Sequence, residues 1–396
     1  MQNIIVAFGG VSPEHEVSVI SGMQAMNALK DAGYNAIPLC ITKAGRWLTG
    51  NNLTDIENYQ DLKKLEKEAV ACTFAHDANL SPVLLERNKG GLFSKPKEHA
   101  IFAVFTAFHG ADGENGAFQG TCEMFNIPYT GSGVLGSAVG MDKAVTKKVC
   151  ESNDIPVVPY AAFYEEEWVD LQQTFVDAIE DLGYPVFVKP ARLGSSIGVY
   201  KVDNREELLD RVETAFRYDA KIIVEKGVQP LLEINCSVMG DPVKAEPSVC
   251  EQPMASKEVL SFEDKYLAEE GASKGMASAD RIIPAPISDE LTARIQNMAV
   301  RTFAALNCSG LARLDFLVNA DTTEIYFNEL NSIPGSFSFY LWDKNGITFP
   351  QLVKRLVDIA LNNHRIKNGR IRSYETNLLS KRAGEGIKGL KGVKKG

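Results

Sequence analysis

Residues 311–335, LARLDFLVNADTTEIYFNELNSIPG, constrain this 396-residue chain more than any other stretch. Two apolar runs, 314–318 and 324–330, flank a polar Asn-Ala-Asp-Thr-Thr turn and predict a β-hairpin. Asp315 stands on the first strand, and Glu329 and Asn331 close the second. Being two apart, Glu329 and Asn331 point to the same face of a strand. If the register sets Asp315 alongside them, three oxygen ligands converge. Hard oxygen donors on a rigid sheet suit Mg²⁺ that is also held by substrate phosphates. The plain alternative is a set of acidic residues at strand ends that water solvates.

A chain of this length can bury a large core in two or three domains. Its net charge of -9 argues against a nucleic-acid surface over the main body. The seven cysteines are scattered and show no C-x-x-C pair, which predicts reduced thiols in core or surface positions of a cytosolic protein. No window reaches 18 apolar residues, and MQNIIVAFGG lacks the basic start of a signal peptide. A soluble, cytoplasmic protein without a membrane span is expected.

The chain opens with an apolar run over 3–8, a helical pattern over about 16–32 ended by Gly33, and a second strand over 35–41, together a βαβ unit. The turn after the first strand lacks G-x-G-x-x-G, so a dinucleotide site is not expected there. Glu14 in that turn would repel phosphate; it suits a substrate ammonium or, more simply, caps the helix. Residues 48–99 read as a polar, irregular surface segment with one short helix near 59–69. A strand over 100–105 leads into HGADGENG, where His109 and Glu114 occupy a glycine-rich loop beyond a strand end, the usual ligand position in open α/β sheets. Helices are expected over 120–125 and 137–151. The second carries Lys143, which in isolation reads as a solvated charge.

Residues 155–159, IPVVP, read as a linker. After a helix over about 168–182, a strand at 186–188 presents Lys189, and 193–198 form a glycine-serine turn. Such a loop can cradle phosphates with its amides while the lysine adds a point charge, or it is an ordinary hairpin bend. The P-loop pattern G-x-x-x-x-G-K-[ST] is absent. KIIVEK, 221–226, is the next strand. Backbone groups of 224–228 can follow an adenine edge, with Glu233 on a ribose. A strand over 234–239 precedes the polar loop 261–286, which begins with Lys265 and Tyr266 and is long enough to be a lid. A helix over 290–306 leads into the hairpin.

Seven segments in order, GGVSPEHEVSVISG, HGADGENG, PYTGSGVLGSAVGMDK, VKPARLGSSIGV, FEDKY, ARLDF and NELNSIPGS, resemble the D-alanine–D-alanine ligase family of the ATP-grasp superfamily over roughly residues 1–360. The resemblance implies a three-domain α/β ATP-grasp fold. Its parts would be a Rossmann-like βαβ domain over 1–141, a small central lid domain over 142–228 and a larger α+β domain over 229–380. It implies ATP and Mg²⁺ or Mn²⁺, two ions per site, and a homodimer.

Carried over by position, Lys143, Lys189 and Lys265 would contact the nucleotide, Glu225, Lys226 and Val228 the adenine, and Glu233 the ribose. Asp315, Glu329 and Asn331 would hold the metal. Glu14 would receive the ammonium of the first D-alanine, with Ser195 and Tyr266 as its hydrogen-bonded partners. Arg313 and the Gly335 amide would stabilise a tetrahedral oxyanion, and His109 and Ser336 would touch substrate. The implied reaction joins two D-alanines through an acyl-phosphate, for peptidoglycan precursor synthesis.

Two departures bear on the second substrate. Leu193 stands where many members have Glu, and SFSFYLW replaces the run whose serine-leucine pair binds the second carboxylate. The latter form resembles a subgroup that includes D-Ala-D-Ser ligases of the glycopeptide-resistance type. D-alanine is the expected second substrate and D-serine the alternative; Lys265-Tyr266 argues against D-lactate. Another ATP-grasp amino-acid ligase, a silent nucleotide-binding protein and a nicotinamide oxidoreductase are the competing readings. The 381–396 tail, with six basic residues against Glu385, reads as disordered.

Overall fold

A computed structural model describes residues 1–87, 96–254 and 281–376. Among these, three β-sheets organise the chain. In the first, β1 (Asn3–Gly9) pairs in parallel with β2 (Asn35–Ile41) and β7 (Ala103–Thr106), and helix His15–Asp31 makes the crossover. Ile4 through Phe8 are all 0 % exposed, as a parallel strand covered on both faces requires.

The segment expected to be irregular instead extends this sheet. It supplies β3 (Trp47–Thr49), β4 (Val70–His76), β5 (Pro82–Glu86) and β6 (Glu98–Ala100), giving the order β6-β5-β4-β3-β2-β1-β7. Only Cys72 and Phe74 are buried in β4, so its alternation is too short to stand out among polar neighbours. The expected short helix is present as Leu62–Glu68. All seven cysteines are buried, so the open choice between core and surface resolves to the core.

The second sheet is antiparallel, in the order β10 (Tyr200–Val202), β9 (Val186–Pro190), β11 (Lys221–Lys226), β8 (Tyr160–Tyr164). Val186, Val188, Ile222 and Val224 pack with Trp168 and Ile179 of helix Glu165–Leu182 and with Leu208 and Val212 of helix Arg205–Ala215. Because strand side chains alternate, Lys189 and Glu225 share the opposite face.

The third sheet has the order β14 (Arg281–Ile282), β13 (Ala245–Pro253), β12 (Leu231–Gly240), β15 (Gly310–Asn319), β16 (Ile325–Asn331). Helix Asp289–Ala305, capped by Ser288 through the Leu291 amide, covers one face. Ala312, Leu314, Phe316 and Val318 point into that core with Ile295, Ala299 and Phe303. Strand β13 escapes a sequence reading because Pro247 and Pro253 punctuate it.

Two connections also differ from expectation. The helix expected over 137–151 is two helices, Val134–Met141 and Lys143–Glu151, broken at an extended Asp142 that caps the second through the Val145 amide. Segment 155–159 is no free linker: Val157 bridges to Phe327, Pro156 accepts the Phe327 amide at 2.8 Å, and Ile155 and Val158 are buried. Near the end of the described chain, helix Phe349–Asn368 returns Leu352, Val353, Leu356 and Val357 to the core of the first sheet. Among the described residues no helix is long and apolar enough to cross a membrane.

Candidate active site

The hairpin forms as expected, and its register sets Asp315 opposite Glu329 and Arg313 opposite Asn331. A bulge after Asp315 shifts the alternation on β16. Phe327 and Leu330 are both buried, while Asn328 and Glu329 between them are half-buried. Asn328 therefore joins the open face, where simple alternation would have hidden it. Sequence reasoning missed this residue for that reason.

Arg313 holds Asp315 in a bidentate pair, with Nε 2.7 Å from Oδ1 and Nη2 2.8 Å from Oδ2. Asn331 Nδ2 donates to Asp315 Oδ2 at 3.0 Å. Burial raises the Asp315 pKa, Arg313 opposes that shift, and the neighbouring Glu329 adds to it. Two carboxylates that disfavour each other's ionisation are a fitting seat for a cation. Among the described residues no group of three His, Cys, Asp or Glu gathers, so the third hard donor of this set is the Asn331 amide oxygen. A flip of that amide would present the oxygen. The donor chemistry fits a divalent ion of the Mg²⁺ type.

Lysines face this set from the other side of the cleft. Lys143 Nζ donates to the Leu193 carbonyl at 2.6 Å and lies 3.5 Å from Glu329 Oε2. Lys189 Nζ donates to Glu225 Oε2 at 2.6 Å and to Asn328 Oδ1 at 3.3 Å. Lys143 is thus no solvated charge, and Lys189 sits between the second and third sheets. Lys147, which sequence reading passed over, is fully buried with Nζ 3.0 Å from Glu225 Oε1. Burial would raise the Glu225 pKa, but Lys147 and Lys189 hold it down at about 2.

At the far end two loops close over Glu14. Ser195 donates its hydroxyl to Glu14 Oε1. A Cβ at Gly110 would fall 2.6 Å from Glu14 Oε2 and one at Gly194 would fall 3.3 Å from it, so both loops reach the carboxylate because they are glycine there. Glu14 occupies the N-cap position of helix His15–Asp31 but makes no side-chain cap bond, so the simpler reading of this residue fails. His109 is buried, its Nε2 2.7 Å from Ser21 Oγ, and burial lowers its pKa to about 4.

Glu114, singled out in the sequence without a partner, accepts from the Gly110 amide at 2.6 Å, Ser332 Oγ at 3.1 Å and the Ile333 amide at 3.0 Å. It pins the backbone directly after Asn331. Burial and the nearby Glu14 raise its pKa to about 7.

The remaining sequence-selected residues are less concentrated. Gly335 opens a turn in which Ser336, Phe337 and Ser338 all have positive φ (51°, 54° and 44°), a conformation that side chains rarely adopt. Phe337 anchors it against Phe105 at 5.1 Å, and Ser336 is buried. Val228 is half-buried and Lys226 and Glu233 are exposed, around the passage from β11 to β12. Lys265 and Tyr266, the rest of the expected lid up to residue 280 and the basic tail lie outside the described residues.

Residues 3–132 match the family model "D-ala D-ala ligase N-terminus" and residues 149–358 match "D-ala D-ala ligase C-terminus". A D-alanine–D-alanine ligase of Thermosipho melanesiensis is 40% identical over 386 residues, covering 97% of this chain and 100% of the relative. The solved D-alanine-D-alanine ligase from Coxiella burnetii superposes with a TM-score of 0.74 at 27% identity, covering 97% of this chain and 99% of that one. The VanG D-Ala:D-Ser ligase from Enterococcus faecalis gives 0.75 at 29% identity, covering 91% and 99%. With its three-sheet ATP-grasp architecture, the chain belongs to the D-alanine–D-alanine ligase family.

Proposed function

We propose that this enzyme joins two D-alanine molecules at the expense of ATP, through an acyl-phosphate. The observation that carries this reading is the meeting of charged groups from the second and third sheets. Lys143 and Lys189 stand over the Asp315–Glu329–Asn331 set, and Glu14, tied to Ser195, closes one end.

In this reading the first D-alanine places its ammonium on Glu14, where the glycine loops at Gly110 and Gly194 come close to the carboxylate. Its carboxylate attacks the γ-phosphate and ADP leaves, while Lys143 and Lys189 offset charge on the phosphates. Lys226, Val228 and the Glu225 backbone line the adenine, because the Glu225 side chain is already taken up by two lysines. Glu233 receives the ribose, and Lys265 adds a further nucleotide contact. Asp315, Glu329 and Asn331 would hold Mg²⁺ or Mn²⁺, two ions per site, which supply charge neutralisation and phosphate orientation.

The second amine, once deprotonated, then attacks the carbonyl carbon of the acyl-phosphate, and inorganic phosphate leaves as the amide forms. Arg313 and the Gly335 amide stabilise the oxyanion, and His109 and Ser336 border the substrates; Tyr266, outside the described residues, would assist Ser195 at Glu14. A lid is needed because water would hydrolyse the acyl-phosphate. The domains run over 1–141, 142–228 and 229–380. The protein works as a cytoplasmic homodimer supplying a peptidoglycan precursor.

D-serine as second substrate is the alternative, favoured by SFSFYLW and by the likeness to a D-Ala:D-Ser ligase. Purified protein with ATP and Mg²⁺ should release phosphate when given D-alanine, with D-Ala-D-Ala identified by mass. D-Ala-D-Ser as the dominant product from a mixture would select the alternative. No phosphate release with any D-amino acid would overturn the reading.

A further inference from the structure

Lys147 has no part in the scheme above, yet its environment is among the most constrained in the molecule. It follows Lys143 by four residues on helix Lys143–Glu151, so both lysines project from one face. Lys143 turns outward to Leu193 and Glu329, while Lys147 turns inward. Its Nζ lies 3.0 Å from Glu225 on the second sheet and donates to the Phe327 carbonyl on the third at 3.5 Å. Lys189 makes the parallel link, to Glu225 and to Asn328. Two ammonium groups therefore share one carboxylate at the junction of the two sheets.

An isolated buried ammonium is expensive, so a structural lysine here would need a counter-charge of its own. Glu225 cannot serve Lys147 alone, because its other oxygen is bonded to Lys189. Were Lys147 absent, Glu225 and Lys189 would cancel as a one-to-one pair, and the carboxylate would draw Lys189 away from the cleft. With Lys147 present, the two ammonium groups divide the Glu225 carboxylate between them, so it compensates Lys189 less fully, although Glu329 and Glu233 also lie near Lys189. Of the two lysines Lys189 is the outer one, its side chain 13% exposed against 0% for Lys147.

We propose that Lys147 is a positioning residue for the triphosphate site: by sharing the Glu225 carboxylate it leaves Lys189 only partly compensated by that carboxylate and directed toward Asn328, where an anionic phosphate can meet it. This inference rests on the reading of the cleft as an ATP site.

The test is a double-mutant cycle on the full chain, reading the KM for ATP, kcat and thermal midpoint of wild type, Lys147→Met, Glu225→Gln and the double variant. In the wild-type background Lys147→Met should raise the KM for ATP about tenfold or more, with kcat within about threefold. In the Glu225→Gln background, with no carboxylate to share, the same substitution should change KM less than about twofold.

An equal rise in both backgrounds, or a lower thermal midpoint with KM unmoved, would make Lys147 a packing residue and overturn the inference. Should Lys147→Met fail to fold, Lys147→Gln takes its place in the same cycle, and the same outcomes decide. Wild type that fails to bind ATP would overturn the nucleotide reading together with the inference. Wild type that binds ATP with no effect of Lys147→Met overturns the inference alone.

Discussion

Glu114 shows how much one carboxylate can hold together. Three donors from two separate parts of the chain converge on it, including two backbone amides. Its folded pKa of about 7 stands above the ordinary value of 4.5. Between those two values the unfolded chain has released its proton while the folded protein retains it, so stability falls as pH rises through this window. The contribution is fully present below pH 4.5 and is lost through about pH 7. Glu114→Gln should lower stability throughout, because an amide cannot accept from all three donors, yet flatten this part of the profile. Thermal midpoints measured from pH 4 to 8 would check it; an unchanged slope in the variant would assign the titration elsewhere. His109, pushed down to about 4 by burial, is neutral over most of that range and acts as a hydrogen-bonding partner of Ser21.

At the scale of elements, the break at Asp142 is what delivers Lys143 to the cleft. A continuous helix would carry the lysine past the Ala191 carbonyl, which accepts its amide at 2.9 Å. Asp142 ends one helix, caps the next and pairs with the buried Lys221 at 2.8 and 2.9 Å. Asp142→Ala should cost about 1 kcal/mol for the lost cap, plus the penalty of leaving Lys221 without a counter-charge. Asp142→Asn keeps a cap acceptor and loses only the charge, so it should unfold at an intermediate temperature. Calorimetry on both variants separates the two contributions; equal midpoints would mean that the cap adds nothing. The β16 bulge works at the same scale, since it turns Asn328 to the side of Lys189.

Across the whole molecule, the first sheet and the hairpin meet backbone to backbone. Gly310, with φ of 73°, starts β15, and a Cβ there would lie 2.7 Å from the Gly131 nitrogen and 2.8 Å from its Cα. Neighbouring Ser309 and Ser132 exchange hydrogen bonds at 3.2 and 3.4 Å. Neither backbone can yield, so Gly310→Ala should destabilise by about 1–3 kcal/mol through strain and overpacking. It should also weaken substrate binding, because Gly310 starts the strand that carries Asp315. Denaturant midpoints and the KM for D-alanine would show both effects, and a variant of wild-type stability would refute the close-contact account.

Local pattern alone specified the hairpin with Asp315, Glu329 and Asn331, the opening βαβ unit and the KIIVEK strand. Each rests on side-chain alternation or on a helix stop that neighbouring residues impose. The same is true of Lys189, presented by a strand whose valines must face a core. Tertiary structure decided the rest. Strands β3 to β6 and β13 carry too few buried residues, or too many prolines, to declare themselves without partners. Asn328 depends on a bulge that only strand pairing creates. Glu14 read more simply as a cap until two glycine loops from distant segments met at its carboxylate. Lys147 sits in a run of lysines that looks solvated, and its counter-charge is supplied by Glu225, far along the chain. The charge and hydrogen-bond partners of a buried polar group come from whichever residues the fold brings near, and sequence neighbours do not encode them.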